Sequence, residues 1–100
     1  MQKKRKLTDY AVVLNEKDNV ATALLDMPKG EYAFSSPDVT VVITVAEDIR
    51  AGFKMALSHI RPGDRIYKYG YPIGEASVEI HPGDCVHIHN MASSSLRSGA

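Results

Sequence analysis

The chain lacks most of what marks a self-sufficient enzyme or a membrane protein. It has one cysteine, Cys85, among 100 residues, so no disulfide can form within it, and a reducing, cytoplasmic setting is the expectation. There is no apolar run approaching ~18 residues and no signal-peptide-like hydrophobic region, which argues against membrane insertion. An excess of charge of either sign is also missing. Twelve basic and twelve acidic side chains cancel, which removes the broad electrostatic attraction behind general binding to nucleic acid or anionic membranes. No P-loop, dinucleotide fingerprint or paired-carboxylate motif is present. A chain of this length suits one domain with a modest core, so any separate substrate or cofactor lobe must come from another chain.

What the sequence does contain is short, β-branched apolar runs, at 10–14, 39–45 and 86–88, each bounded by turn-forming residues. That pattern predicts a mostly β domain. One phrase recurs: Ile60-Arg61-Pro62-Gly63-Asp64 returns as Ile80-His81-Pro82-Gly83-Asp84, with a looser copy at 26–31. Pro followed by Gly fits the centre of a type II turn, where proline presets φ and glycine accepts positive φ. Short strands entering and leaving similar tight turns suit a compact, folded-over β structure; the repeat is too brief for a solenoid. Two segments resist the β reading. Val20, Ala23, Leu24 and Met27, and again Ile49, Phe53, Ala56, Leu57 and Ile60, fall at helix-like spacing, so one or two short helical turns are predicted there. Gly52 weakens the second by roughly 1 kcal/mol relative to alanine. Residues 1–8 form a basic arm around Lys3-Lys4-Arg5-Lys6, read as a solvated terminus, 9–91 the domain and 92–100 a Ser-rich flexible tail.

The densest chemistry lies in Val86-His87-Ile88-His89-Asn90. In an extended strand His87 and His89 share a face about 6.5–7 Å apart, with Val86 and Ile88 turned to the core. Two imidazoles are an incomplete metal site, since catalytic metals commonly take about three protein ligands plus an open position. The residues alone leave two readings open: strand histidines bonded to nearby loops, or ligands to a metal or an oxyanion. Tyr67, Tyr69 and Tyr71 alternate at strand spacing, which predicts a shared packing or partner surface. His59 and His81 stand at turns with no partner in sequence and are assigned structural roles. Cys85 reads as a small buried side chain and not a nucleophile.

In order along the chain stand Ala46-Glu47-Asp48-Ile49, Gly52-Phe53-Lys54, Ile60-Arg61-Pro62-Gly63-Asp64, Lys68-Tyr69-Gly70, Pro72-Ile73-Gly74 and Val86-His87-Ile88-His89-Asn90. Together these resemble the small SAF-type domain of the altronate and galactarate dehydratase family. The resemblance covers roughly half the chain strongly and extends weakly to 18–25. It implies a β-clip fold, which in that family is either the N-terminal domain of the dehydratase or a separate small subunit, and for this chain the role of a small subunit of a sugar-acid hydro-lyase, alongside a large catalytic subunit that completes the site. It further implies a small sugar-acid substrate and a divalent metal, Fe2+ or Mn2+, shared with that subunit. Carried over by motif, His87, His89 and Asn90 are the catalytic candidates, with His87 and His89 the metal candidates and Lys68 and Tyr69 the substrate-binding ones.

In such a reaction imidazole serves as base or ligand and imidazolium as acid, while Asn90 hydrogen-bonds a substrate oxygen or serves as a turn residue. Lys68 is either a point charge for a carboxylate or a solvated turn lysine. One departure stands out: the family usually has histidine before the lysine of the segment matching 52–54, and this chain has Phe53. Two alternatives remain, a non-enzymatic β-clip module that binds carbohydrate or serves assembly, and the small subunit of a sulfolactate sulfo-lyase. Homo-oligomerisation is left open.

Overall fold

The computed structural model describes residues 4–35 and 40–93. Ten short strands follow one another: β1 (Arg5–Lys6), β2 (Ala11–Val12), β3 (Val20–Ala23), β4 (Gly30–Ser35), β5 (Thr40–Val45), β6 (Lys54–Ala56), β7 (Arg65–Lys68), β8 (Tyr71–Ala76), β9 (Cys85–Val86) and β10 (Met91–Ser93). They make three small sheets, ordered β1-β4-β5, β10-β8-β7 and β2-β3-β6-β9. The mostly β, folded-over architecture is the one expected of a β-clip.

The expected helical turns at 18–27 and 49–60 are not there. Those residues enter β3 and β6, and the one helical turn among the described residues is a 3-10 turn at Leu7–Asp9. The apolar spacing that mimics a helix arises because Val20, Ala23, Met27, Ile49 and Ile60 are buried through separate strands and bridges. Short apolar clusters of this kind fit either period, and only their pairing partners decide between them.

The repeated phrase is the main structural device, and it occurs three times. Ile49, Ile60 and Ile80 each sit in an isolated bridge, Met27 pairing with Ile49 and Ile60 with Ile80. Each isoleucine leads into a turn closed by a backbone bond, Phe53 N–H to Arg50 (3.1 Å), Asp64 N–H to Arg61 (2.9 Å) and Asp84 N–H to His81 (3.0 Å). In every copy the turn glycine donates to the carbonyl of a buried alanine: Gly52 to Ala23, Gly63 to Ala76 and Gly83 to Ala56. The same alanine's N–H returns a bond to the residue after the glycine, so each turn docks on a strand through two backbone bonds. The glycines hold φ of 94°, 89° and 92°, the conformation that the third position of a type II turn requires. Asp64 and Asp84 finish their turns by accepting from Arg61 N–H and His81 N–H through Oδ2. The third copy is at 49–53, where Ala51 stands in place of the proline, and not at 26–31 as the sequence suggests; Met27 of that segment is the bridge partner of Ile49.

Two apolar clusters fill the space between sheets. Leu7, Met27, Tyr32, Ile43, Val45, Ile49 and Met55 anchor one, and Val20, Ile60, Ile66, Ile80 and Val86 the other. The N-terminal arm belongs partly to the first. Arg5 and Lys6 pair in parallel with Tyr32 and Ala33 of β4, Leu7 is fully buried, and the Arg5 guanidinium lies 5.7 Å from the Tyr32 ring centroid. Burying Leu7 stabilises the docked arm by about 1.5–3 kcal/mol, against the solvation that the basic run favours. At the other end Met91–Ser93 pair with β8, so a tail can begin only after them; residues 94–100 lie outside the described residues.

Candidate functional site

β9 is short. The strand ends at Val86, and 87–90 form a turn closed by Asn90 N–H to the His87 carbonyl at 3.0 Å. Strict alternation through His89 is therefore broken. Val86 is buried as expected, but Ile88 is 81% exposed instead of turned to the core.

Asn90 explains the turn. It is buried at 4% exposure; its Oδ1 accepts from His87 N–H and its Nδ2 donates to the Cys85 carbonyl, both at 2.9 Å. Its own carbonyl takes Ser77 N–H at 3.0 Å. A short carboxamide that bonds backbone three and five residues back closes a loop as a second turn would. Asn90 thus fixes the frame on which both histidines are displayed.

The two histidines do not share surroundings. In the antiparallel pairing of β6 with β9, Met55 lies opposite Cys85, and Phe53 and His87 continue that face past the strand ends. Their rings meet edge to face at 4.7 Å between centroids, a favourable aromatic geometry. His89 instead lines a groove of about 340 Å³ with Glu47, Val78, Glu79, Asp84, Cys85 and Asn90. Among the described residues no three His, Cys, Asp or Glu side chains group closely enough to hold a metal ion. This chain's own described residues therefore do not fit a complete divalent-metal site. Burial pushes the Cys85 thiol above its ordinary range, opposed by the nearby Lys54 charge, in keeping with a packed and not a nucleophilic thiol.

Lys68 and Tyr69 lie at a different place, the β7–β8 hairpin. Lys68 pairs with Tyr71 across a two-residue loop of Tyr69 and Gly70, both in the left-handed region at φ 57° and 84°. Two positive φ values make this a type I′ hairpin turn, whose first position favours Asn, Asp or Gly. An aromatic residue there is strained. Tyr69 therefore leaves the strand face that alternation would have it share with Tyr67 and Tyr71. The turn is tied down by Gly70 N–H to Asp18 Oδ1 at 2.8 Å, and the Lys68 ammonium sits 5.0 Å from the Tyr69 ring centroid.

Lys54, on β6, is the residue that sequence reasoning passes over. Burial first, and the Lys68 charge second, pull its amine below the usual lysine range. The available signal was its place in Gly52-Phe53-Lys54. His59 and His81 also gain partners invisible in sequence: the Ile60–Ile80 bridge stacks their rings at 5.4 Å, and His59 Nε2 lies 2.6 Å from Glu79 Oε2.

The structure thus brings Lys68 and Tyr69 to Lys54, sets His87 against Phe53, places His89 in an acidic groove and commits Asn90 to the backbone. No helix among the described residues is long and apolar enough to cross a membrane. Residues 9–94 match the family model described as the altronate/galactarate dehydratase SAF domain. The chain is 43% identical over 81 residues to an altronate dehydratase of Bacillus subtilis and 40% identical over 79 residues to an altronate dehydratase of Escherichia coli. Each alignment covers 79% of this chain and 15% of the relative, so the chain spans about one seventh of the curated relatives it matches. With the turn-docked β fold and a family match across most of its length, the chain belongs to the altronate/galactarate dehydratase SAF-domain family.

Proposed function

We propose that this chain is the small, SAF-type subunit of a sugar-acid hydro-lyase and works in a site completed by a large catalytic subunit in the cytoplasm. The observation that carries the reading is the family match over residues 9–94, with both named relatives altronate dehydratases. Eliminating water from a sugar acid requires removing a proton next to a carboxylate and protonating the departing hydroxide. His87 and His89 are the groups suited to that work, neutral imidazole taking a proton and imidazolium giving one. Asn90 acts through them by holding the turn, and Lys68 and Tyr69 receive the substrate. An Fe2+ or Mn2+ ion belongs to the large subunit in this reading, because the described residues here do not fit a full ligand set.

Dependence on a partner is supported by Ile88, 81% exposed between the two histidines. A large aliphatic group at the tip of a candidate site is well placed to be covered by another chain. The rival, a non-enzymatic β-clip binding module, is favoured by Phe53, whose apolar ring packs against His87.

The test is affinity capture of the tagged chain from its own source lysate, followed by a dehydration assay on hexonates and hexarates with ferrous or manganous ion. Recovery of a large dehydratase-like chain with activity is expected. His87→Ala and His89→Ala should each abolish that activity while partner capture is unchanged. Full activity in both variants removes the site assignment, and absence of both partner and activity selects the binding module.

A further inference from the structure

We infer that Lys54, Lys68 and Tyr69 form a carboxylate-binding subsite, which takes the anionic end of a polyhydroxy acid at the base of the β7–β8 hairpin. The inference rests on the sugar-acid reading above and adds to it Lys54 and a charge requirement on the ligand.

The register brings the two ammonium groups together. Ile66 of β7 is buried with Val20, Ala56 and Val86. Its pairing with Gly74, followed by that of Tyr67 with Pro72, puts the extra residue of the bulge in β8. Alternation along β7 is therefore intact, and Lys68 projects on the Ile66 side. Lys54 lies two residues before Ala56 and projects on the Ala56 side. Both lysines therefore leave their strands on the side of the second core, and the Lys68 charge adds to burial in lowering the affinity of Lys54 for its proton.

No ion pair of either lysine with a carboxylate is found among the described residues. Two half-buried like charges oppose each other and lose hydration, an arrangement that an incoming anion reverses. Thr22, directly across from Lys54 in the β3–β6 pairing, carries a buried Oγ1 with no hydrogen-bond partner. Tyr69 supplies the independent sign. It holds its left-handed φ in a turn that Asn or Gly would fill without strain, and its ring lies beside the Lys68 ammonium. Strain of this kind is sustained by the surrounding structure and clusters at ligand clamps and active sites. The groove around His89, by contrast, is lined by Glu47, Glu79 and Asp84 with no lysine or arginine among its lining residues.

The experiment is a nitrogen-15 amide titration of the chain at low salt with gluconate, and with uncharged glucitol as the matched probe. Saturable shifts at Lys54, Lys68, Tyr69 and Gly70 are expected with gluconate and none with glucitol. Lys54→Met and Lys68→Met should each weaken gluconate binding about tenfold or more, the effect of losing one charge-assisted hydrogen bond. Lys54→Arg should stay within about threefold of wild type, because it keeps the charge. Tyr69→Asn should fold with a higher melting temperature yet bind gluconate more weakly.

Gluconate shifts that are absent, that persist unchanged in Lys54→Met, or that glucitol or chloride reproduces would overturn the subsite. Partner capture and dehydration are read separately. Gluconate binding without either one removes the hydro-lyase reading and leaves the subsite standing.

Discussion

Gly63 and Tyr69 both stand at positive φ, 89° and 57°, in turns at the two ends of β7. Gly63 follows proline, and its turn is closed by the Asp64 carboxylate; every local preference agrees with the geometry. At Tyr69 a bulky aromatic occupies a position made for Asn or Gly. The difference separates two uses of a turn. Where sequence and conformation agree, the turn builds the fold, and three copies of one phrase do so here. Where they conflict, the strain has to be sustained by the surrounding structure, and the conflict falls beside the Lys68 ammonium.

The sharpest way to break the building turns is Gly83→Ala. A Cβ there would stand 2.0 Å from the Thr44 carbonyl oxygen, at φ 92°, so strain and overlap add to about 3 kcal/mol or more of lost stability. Urea unfolding should show it as a fall in midpoint. Asn90→Ala comes next, at about 2 kcal/mol, because it leaves His87 N–H and the Cys85 carbonyl without their partner. Loss of the defined amide shifts at 87–90 should accompany it.

Gly63→Ala should cost only about 1–2 kcal/mol, since nothing lies within 4 Å of its Cβ and φ alone is at fault. Equal effects at Gly63 and Gly83 would erase the distinction between strain and overlap. Tyr69→Asn reverses the sign and should stabilise by about 0.5–1 kcal/mol in the same unfolding assay.

The smallest effect is in alkaline solution. The Lys54 amine titrates below 10.5 in the fold, so the folded state holds that proton less tightly than the unfolded chain. The resulting penalty is present at lower pH and is relieved as pH rises from the folded value toward 10.5. Cys85, raised above 9.0, acts in the opposite sense, losing its contribution as pH rises through its folded value. Lys68→Met should move the Lys54 titration upward, measured on its side-chain carbons by NMR.

The β class, the Pro-Gly turns and the burial of Val86 were legible in the sequence, because each depends on near neighbours. The third copy of the phrase was hidden by one substitution, Ala51 for proline, and the helix-like spacing around it came from residues buried by distant partners. The site was legible as motifs but not as geometry. His87 and His89 look equivalent until Asn90 folds the chain between them, and Lys54 feels the Lys68 charge only once β7 is docked on β3. A carboxamide turn and a packing crossover leave no periodic trace.

The position of β9 and β10 in the chain also sets an order of assembly. Cys85 and Val86 complete a sheet begun at Ala11, and Met91–Ser93 complete one begun at Arg65. Residues 87–90 lie between those two late strands. On a ribosome the early strands can emerge and collapse, yet the imidazole-bearing turn, framed by Asn90, is fixed against both sheets only when the segment through Ser93 is free to pair. Contacts of such long sequence separation slow folding relative to local ones. The candidate site is thus also a checkpoint: a chain that displays His87 and His89 in their turn has already closed both sheets.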